Sequence, residues 1–322
     1  MEPLASLAVA AHAAFRADVL AGFDQPNRAV PARWLYDRRG SELFEEITRL
    51  PEYYLTRLDT ALLEAHCSEV AAIAGAGNAI VEFGAGSAAK TRILLRCVAP
   101  SAYVPVDISG DFLRQSVEAL RAEFPDLPIH PVEADFMQLL PLPPSLSEEP
   151  KLGFFPGSTI GNMIPKTAVD LLRAMKQALG VGAYLLIGMD RVKPAEILLR
   201  AYDDAAGITA AFNRNLLARI NAELGGDLPL DGFRHRAVWN DPMSRIEMHL
   251  EAVRDVAFTV AGRRFSMRAG ETIHTENSHK YGPRDARLLL RAAGWSPVAE
   301  WTDEADQFAL ILAEAEAPRF AP

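Results

Sequence analysis

The stretch AIVEFGAGSAAKT, residues 79–91, decides the fold. Its apolar start predicts a buried strand, and the strand leads directly into a turn that contains Gly84 and Gly86. Glycine at these positions permits a positive φ and a close approach of the backbone to a ligand. The helix predicted after the turn favours a phosphate or carboxylate at its N-terminus. The stretch therefore predicts a cofactor site at the end of a strand.

Strand and helix patterns alternate on both sides of this stretch, from about residue 60 to residue 192. This alternation is typical of βαβ units around a parallel sheet, so the predicted fold class is α/β with a Rossmann-like sheet. Two later strand patterns, WSPVAEW and QFALILAEA, are expected to complete the same sheet with an antiparallel hairpin strand.

The pattern changes after about residue 193. The segment AEILLRAYDDAAGITAAFNRNLLARINAEL predicts one long helix, while SRIEMHLEAV, VAFTV and RRFSMRAG alternate with period 2 and predict an antiparallel patch. The chain also begins with an amphipathic helical pattern. We therefore expect a cofactor-binding core of residues 57–192 and 282–322. The remaining residues, 1–56 and 193–281, are expected to form a discontinuous α+β substrate-binding domain.

Composition narrows the class of protein. Among 322 residues, 42 acidic against 33 basic side chains give a net charge of −9, which disfavours nucleic acid as a partner. Cys67 and Cys97 are too few for a disulfide framework, and we expect both to be buried in a reducing compartment. No apolar run approaches the roughly 20 residues that span a bilayer. We expect a soluble, cytoplasmic monomer without a membrane partner.

The glycine turn alone leaves the cofactor open. Gly84, Gly86 and Ala89 satisfy the pattern G-x-G-x-x-A, so NAD is compatible with this spacing. Asp107 ends the second predicted strand, where its carboxylate can accept hydrogen bonds from both ribose hydroxyls.

Two further features favour S-adenosylmethionine. Glu82 precedes the turn, and the pair Asp135–Phe136 closes the third predicted strand. An acid followed by an aromatic residue can bond the adenine amino group and pack against its ring. Acids at three consecutive strand ends indicate a class I methyltransferase core.

A second stretch, ETIHTENSHKYG at residues 271–282, carries an acid and a hydroxyl two positions apart. Glu276 and Ser278 share one face of a predicted strand, because residues i and i+2 of a strand point the same way. His274 and Lys280 lie on that face as well. This raises the question of why one strand face should present a carboxylate and a hydroxyl side by side.

Six segments together resemble the histidine-specific Nα-methyltransferases of ergothioneine biosynthesis, and the resemblance runs nearly end to end. They are WLYDRRGSELFEEITRLPEYYLTR, VEFGAGSAAKT, VPVDIS, FFPGSTIGN, AYDDAAGITAAFNRNLLARIN and HTENSHKYG. The resemblance implies an S-adenosylmethionine-dependent enzyme that trimethylates the α-amino group of L-histidine to hercynine. L-Histidine is then the expected small-molecule partner.

The resemblance also implies roles for individual residues. Tyr53 and Tyr202 match positions that hold the amino acid backbone of the substrate. Tyr36 and Asn162 match positions at the reacting amine, and these two are the predicted catalytic residues. The implied substrate-binding residues are Phe44, Tyr53, Thr159, Asn162, Tyr202, Met248, Glu276 and Ser278. The implied cofactor-binding residues are Gly84, Gly86, Lys90, Asp107, Asp135 and Phe136.

Within this resemblance, the Glu276–Ser278 pair is expected to recognise the imidazole ring. Neutral imidazole has one N–H donor and one nitrogen acceptor. A carboxylate can accept from the first and a hydroxyl can donate to the second.

Three alternatives remain open at this point. The same scaffold could methylate another amino acid, such as tyrosine or tryptophan, although both members of the Glu276–Ser278 pair favour histidine. An NAD-dependent oxidoreductase and a non-catalytic cofactor-binding regulator are also compatible with the glycine turn. The seven histidines are scattered, and a catalytic zinc site usually needs three protein ligands, so no metal is expected.

Overall fold

The computed structural model describes residues 2–86, 88–108, 110–134, 136 and 142–317. The chain divides into two compact units. Unit 1 consists of Met1–Tyr53 and Pro194–Asn277, and unit 2 consists of Tyr54–Lys193 and Ser278–Pro322.

Unit 2 is built on a seven-stranded sheet. In chain order its strands are β1 (Ala79–Phe83), β2 (Ala102–Asp107), β3 (Val132–Glu133), β4 (Lys151–Phe155), β5 (Tyr184–Asp190), β11 (Trp295–Thr302) and β12 (Phe308–Ala315). The spatial order is β11-β12-β5-β4-β1-β2-β3. The first five strands pair in parallel, while β12 is antiparallel to both β5 and β11. The predicted parallel sheet with an antiparallel hairpin strand is confirmed.

Unit 2 contains one helix before β1 and four helices that follow strands or lead into them. They are α3 (Tyr54–Ala74), α4 (Ala89–Val98), α5 (Gly110–Glu123), α6 (Pro165–Leu179) and α9 (Pro283–Ala292). Every residue of β1 and β4 is buried, as expected for central parallel strands covered on both faces. Helix α6 begins with Pro165 at its first position, where the missing backbone N–H costs no hydrogen bond.

Unit 1 combines four α-helices and two small sheets within its described residues. The helices are α1 (Glu2–Phe23), α2 (Arg38–Ile47), α7 (Ala195–Tyr202) and α8 (Ile208–Leu224). The strands are β6 (Phe233–Asn240), β7 (Arg245–Ala252), β8 (Val256–Val260), β9 (Arg263–Met267) and β10 (Thr272–His279). The order β10-β7-β6 forms one sheet, β8 and β9 form the other, and β10 continues into unit 2.

The prediction of one long helix after residue 193 is wrong, because the chain breaks between α7 and α8. Gly207 adopts a φ of +74°, and the Asp204 carboxylate accepts hydrogen bonds from the backbone N–H groups of Ile208 and Thr209 at 2.9 and 2.7 Å. These bonds satisfy donors that would otherwise be orphaned in the first turn of α8.

Other differences from the sequence-based expectation are smaller. The antiparallel patch is split into two sheets and includes β6, which the period-2 pattern did not reveal. The third strand is only two residues long. Cys67 is buried as expected, but Cys97 is only partly buried. Within the part of the chain that the structure describes, no helix has the length and apolar character to cross a membrane.

Candidate active site

The glycine turn of unit 2 lies against the end of the neighbouring strand. Gly84 has a φ of +77°, a conformation that glycine adopts without strain. The backbone N–H groups of Gly84 and Ala85 both donate to the carbonyl of Val106, at 2.8 and 3.1 Å. Asp107, the last residue of β2, therefore follows directly at the same edge of the sheet as the turn.

The buried carboxylate of Glu82 bonds to the elements around this turn. Glu82, the residue before Phe83 at the end of β1, accepts hydrogen bonds from the hydroxyls of Thr91 at 2.7 Å and Tyr103 at 2.6 Å. Burial raises the pKa of Glu82 to about 7, and the two hydroxyl donors oppose that rise. Because Thr91 belongs to α4 and Tyr103 to β2, this side chain ties together the elements around the turn.

The surroundings of the turn fit a bound S-adenosylmethionine. A Cβ added to Gly84 would meet the Phe136 ring at 3.6 Å, so that ring lies over the turn. Among the described residues, none would lie within 4 Å of a Cβ on Gly86, which leaves open space for a ligand against the backbone. Asp107 supplies a carboxylate at the end of β2, directly after Val106, whose carbonyl the turn contacts. Asp135, another predicted cofactor-binding residue, lies outside the described residues.

Lys90 is positioned by an acid that sequence reasoning missed. Its ammonium lies 2.6 Å from Asp59, which is almost fully buried, and the same carboxylate oxygen accepts the backbone N–H of Gly157 at 2.7 Å. The carboxylate thus joins α3, α4 and the loop after β4.

The loop after β4 carries two predicted substrate residues, Thr159 and Asn162, in a short 3-10 helix. The Thr159 hydroxyl donates to the carbonyl of Pro156 at 3.1 Å, and Asn162 is half-buried. A Cβ at Gly161 would lie 2.8 Å from the carbonyl oxygen of His279. Glycine is therefore required for this loop to pack against the backbone of the segment that carries Ser278.

Ser278 belongs to a buried polar network in unit 2. Its hydroxyl accepts a hydrogen bond from the Lys280 ammonium at 2.7 Å, and the same ammonium lies 2.7 Å from the carboxylate of Asp190. Asp190 also accepts hydrogen bonds from Lys193 and, at 2.8 Å, from the Tyr54 hydroxyl. All the charged side chains of this network are nearly inaccessible to solvent.

Unit 1 contains a small cavity of about 20 Å³, room for about one water molecule. Five of the predicted substrate residues line it, and four further residues complete its wall. The predicted residues are Phe44, Tyr53, Tyr202, Met248 and Glu276, and the additional ones are Ile47, Ala201, Thr209 and Phe212. The structure thus brings together residues from α2, α7, α8, β7 and β10 that are up to 232 positions apart in the sequence.

Four of the nine residues that line this cavity are aromatic. Phe44 contacts Tyr53 edge-on, with ring centroids 6.2 Å apart, and Tyr53 contacts Tyr202 in the same way at 6.1 Å. Tyr36 packs against Phe44 at 5.5 Å and Phe212 at 5.4 Å, so it joins the cluster without lining the cavity. Edge-to-face contacts of this kind hold rings in defined orientations.

Glu276 places the only ionisable carboxylate among the residues that line the cavity. It is 8% exposed, and Met248 beside it is 1% exposed. The neighbouring Thr275 hydroxyl donates to the carbonyl of Met248 at 3.0 Å, which fixes β10 against β7. A buried acid among aromatic and aliphatic walls is suited to accept a hydrogen bond from a ligand N–H.

One group in unit 1 has metal-ligand side chains. Potential ligand atoms of Glu247, His249 and His274 lie within 4.8 Å of one another, and the two imidazole rings stack at 4.7 Å. Burial would raise the pKa of Glu247, but hydrogen bonds from Arg245, Asn240 and His249 lower it to about 2. Since Arg245 already neutralises this carboxylate, the group is better described as a hydrogen-bonded ion cluster.

The predicted residues divide between the two units. Unit 1 holds Tyr36, Phe44, Tyr53, Tyr202, Met248 and Glu276, whereas unit 2 holds Thr159, Asn162, Ser278 and the predicted cofactor residues. Sequence reasoning missed Asp59, Asp190 and Lys193, because their partners are remote in the sequence. It also missed Thr209 and Phe212, although both lie in the AYDDAAGITAAFNRN segment that carried the resemblance.

The sequence of this chain is similar to those of known methyltransferases. Residues 15–315 match the model of a family described as histidine-specific methyltransferase, SAM-dependent. A histidine N-alpha-methyltransferase of Mycolicibacterium smegmatis is 41% identical over 306 residues, covering 93% of this chain and 94% of that protein. Ergothioneine biosynthesis protein 1 of Neurospora crassa is 29% identical over 284 residues, which cover 85% of this chain and 32% of that longer protein.

A solved structure supports the fold. An S-adenosylmethionine-dependent methyltransferase from Clostridium acetobutylicum superposes with a TM-score of 0.51, covering 86% of this chain and 99% of that one. Its sequence identity is 12%, so the likeness concerns the fold alone. This likeness confirms the predicted class I methyltransferase fold. The match to the family model confirms the resemblance drawn from the sequence.

Proposed function

We propose a function that follows from the family, because the chain belongs to the histidine-specific, S-adenosylmethionine-dependent methyltransferases. The protein transfers methyl groups to the α-amino nitrogen of L-histidine. Three successive transfers give trimethylhistidine, or hercynine, in the first step of ergothioneine biosynthesis. The similarity to a histidine N-alpha-methyltransferase and to an ergothioneine biosynthesis protein supports this proposal.

The observation that carries the choice of substrate is the buried carboxylate of Glu276 in the aromatic cavity of unit 1. A histidine side chain brings an N–H donor to that acid. A substrate with an apolar side chain would leave the buried Glu276 carboxylate without that hydrogen bond and without water to replace it. Sites that hold polar groups for a substrate hydrogen bond reject analogues that lack it, because the buried group then loses its partner.

The cofactor is assigned to unit 2 and the histidine side chain to unit 1. When bound, S-adenosylmethionine supplies a sulfonium-activated methyl group and leaves as S-adenosylhomocysteine. We assign the ribose to Asp107 and the adenine to the neighbourhood of Phe136, beside the open backbone of Gly86. Lys90, held by Asp59, sits at the start of α4 next to the same turn.

Methyl transfer to nitrogen depends on geometry and on the protonation state of the amine. The new N–C bond forms as the S–C bond breaks, and the nitrogen must present its lone pair in line. We assign the orientation of the amine to Tyr36 and Asn162. Starting from the α-ammonium group, the nitrogen loses one proton before each of the three transfers, and each proton passes to water. Tyr53 and Tyr202 hold the rest of the amino acid backbone.

The cavity has to widen when histidine binds. An imidazole ring is larger than the single water molecule that about 20 Å³ accommodates. We infer that the rings of Phe44 and Tyr53, which meet edge-on, rotate when histidine binds and so provide the extra room. We expect binding of histidine to rigidify this cluster.

A mixture of amino acids tests the proposal directly. The purified protein is incubated with S-adenosylmethionine and each of the natural amino acids, and the products are identified by mass spectrometry. We expect histidine to gain three methyl groups. Modification of another amino acid in preference to histidine would reject the substrate assignment while leaving the methyltransferase class intact.

One specific observation favours a second candidate. The cavity wall is mainly aromatic and aliphatic, which also suits the ring of tyrosine or tryptophan. The same panel distinguishes the two candidates, because it shows directly which amino acid gains methyl groups.

A further inference from the structure

We propose that Cys67 and Cys97 form a redox-active thiol pair, a modification site at which hydroperoxides produce a reversible disulfide that links α3 to α4 within one molecule. The inference goes beyond the proposed function and does not depend on it. Both cysteines belong to unit 2, and they are the only two cysteines of the chain.

The two cysteines meet where α3 packs against α4. Cys67 Sγ, on α3, lies 3.9 Å from the carbonyl oxygen of Ile93 in α4. Cys97 follows Ile93 by four positions in the same helix, so its backbone N–H donates to that carbonyl in a regular α-helix. Side chains of an α-helix tilt toward its N-terminus, which directs the Cys97 side chain over the turn that Cys67 contacts.

The two thiol groups also bond to each other. A hydrogen bond joins the Cys67 and Cys97 side chains. Burial raises the pKa of the Cys67 thiol well above its ordinary value, and the hydrogen bond with Cys97 and the negative charge of the Cys97 thiolate raise it further. Cys67 therefore keeps its proton at neutral pH.

Access to solvent decides which thiol reacts first. Cys67 is 3% exposed, whereas Cys97 is only partly buried. Oxidants attack the thiolate form, and accessible thiols are oxidised in preference to buried ones. A dissolved hydroperoxide therefore reacts with Cys97, and Cys67 is the resolving thiol.

The oxidation balances with hydrogen peroxide as the oxidant. The Cys97 thiolate attacks one peroxide oxygen, the O–O bond breaks, and Cys97 becomes a sulfenic acid while hydroxide leaves. Cys67 then attacks the Cys97 sulfur, so that the S–S bond forms and the S–O bond breaks with loss of a second hydroxide. The two thiol protons and the two hydroxides give two water molecules. The two sulfur atoms lose two electrons, which the peroxide gains.

Oxidation of Cys97 also prepares Cys67 for its step. The negative charge of the Cys97 thiolate, which opposes the ionisation of Cys67, disappears when the sulfenic acid forms. Cys67 then loses its proton more readily and closes the disulfide. Cys97 thus stays on the reversible part of the oxidation ladder, because the disulfide forms before further peroxide gives a sulfinic acid.

The disulfide closes the segment 67–97, which contains β1 and the glycine turn. A disulfide stabilises a fold mainly by restricting the unfolded chain, provided that the folded chain need not move to form it. Because the two thiols already meet in the folded protein, we expect the oxidised protein to melt at the same temperature as the reduced protein or at a higher one.

Counting thiols in the full chain tests the pair. The reduced protein is treated with hydrogen peroxide, and the remaining thiols are labelled with N-ethylmaleimide in denaturant and counted by intact mass. We expect two labels before peroxide, none after it, and two again after dithiothreitol, with a monomer on a non-reducing gel. Two labels after peroxide, labels that dithiothreitol does not restore, or a disulfide-linked dimer would each overturn the inference.

The two single variants test the order of reaction. In Cys67→Ser the Cys97 sulfenic acid has no resolving thiol, so we expect it to be trapped by dimedone and, on longer exposure, to be lost beyond recovery by dithiothreitol. Cys97→Ser is the matched control, and its buried Cys67 should keep its thiol under the same exposure. Loss of the Cys67 thiol in Cys97→Ser, or full recovery of Cys97 in Cys67→Ser, would reject the assigned roles.

Thermal unfolding tests whether the pair is formed in the folded protein. The oxidised and reduced wild type are compared by differential scanning calorimetry, and the oxidised sample is then reduced and scanned again. A melting temperature that is unchanged or raised by oxidation, and restored by dithiothreitol, agrees with a preformed pair. A lower melting temperature of the oxidised protein would mean that the helices must move to form the disulfide, and would overturn the inference.

Discussion

The Thr91 hydroxyl donates a hydrogen bond to the buried carboxylate of Glu82, with 2.7 Å between Oγ1 and Oε2. This bond connects the first turn of α4 to the last residues of β1, on either side of the glycine turn. The Glu82 side chain is 3% exposed, and burial raises its pKa to about 7. The fold therefore carries a carboxyl group that prefers to be protonated below neutral pH.

This group makes the stability of the protein depend on pH. The folded state holds the proton of Glu82 up to about pH 7, whereas the unfolded state releases it near the ordinary glutamate pKa of 4.5. Since the folded state binds more protons in that window, its free energy of unfolding falls as pH rises from about 4.5 to 7. Between these two pH values, the raised pKa of Glu82 lowers the free energy of unfolding by about 3 kcal/mol.

Glu82→Gln isolates this contribution, because its amide oxygen still accepts from Thr91 and Tyr103. We expect the stability difference between variant and wild type to favour the variant increasingly from pH 4.5 to 7. Urea unfolding at several pH values measures that difference. A difference that stays constant with pH would show that Glu82 does not hold its proton in the fold.

Asp107→Ala tests the placement of the cofactor. Hydrogen bonds to a charged group contribute roughly 1.5–3 kcal/mol, so we expect S-adenosylhomocysteine to bind about ten- to a hundredfold more weakly. Titration calorimetry measures this change. Asp126→Ala, which removes an exposed acid from the same unit, is the matched control and should leave the affinity unaltered. Equal affinities in both variants would move the ribose away from Asp107.

Gly161→Ala tests the contact between the loop after β4 and the segment of Ser278. The added Cβ would lie 2.8 Å from the carbonyl oxygen of His279, which forces the loop or the strand to move. Overpacking of this kind costs about 1–3 kcal/mol. We expect a lower melting temperature and a lower kcat/KM for histidine, with S-adenosylhomocysteine still bound. A variant with wild-type stability and activity would contradict the close approach.

The proposed three rounds of transfer predict that partly methylated substrates are accepted. Monomethylhistidine and dimethylhistidine, supplied in place of histidine, should both be converted to hercynine, because the amine site has to hold each of them during turnover. Mass spectrometry of the products with excess cofactor measures this. Accumulation of monomethylhistidine as the end product would reject the three-round proposal.

The sheet of unit 2 was predictable because each of its main strands is a continuous apolar run beside a helical pattern. Local signals for the break at Gly207 were present in the sequence as Asp204 and Gly207, but helical spacing continues across them. The network around Asp190 could not be predicted. Its partners Tyr54 and Lys280 are 136 and 90 positions away, and nothing in their local sequence indicates that they meet.

Some residues of the candidate site could be predicted from the sequence, and others could not. Glu276 and Ser278 were identified from i and i+2 spacing together with the resemblance to a family. The aromatic wall of the cavity depends on packing between α2, α7 and α8, so Phe212 appeared only with the fold. Sequence patterns locate side chains along an element, whereas the neighbours of a side chain depend on tertiary packing.

The most direct test of histidine recognition is the substrate profile of Glu276→Ala. Loss of a charge-assisted hydrogen bond should lower kcat/KM for histidine roughly ten- to a hundredfold, while S-adenosylhomocysteine binds as before. Tryptophan and phenylalanine should gain relative to histidine, most clearly when Met248 is also made smaller. Glu271→Ala, which removes an exposed acid just before the same strand, is the control. Full histidine activity in Glu276→Ala, without relaxed specificity, would contradict recognition of the imidazole by this carboxylate.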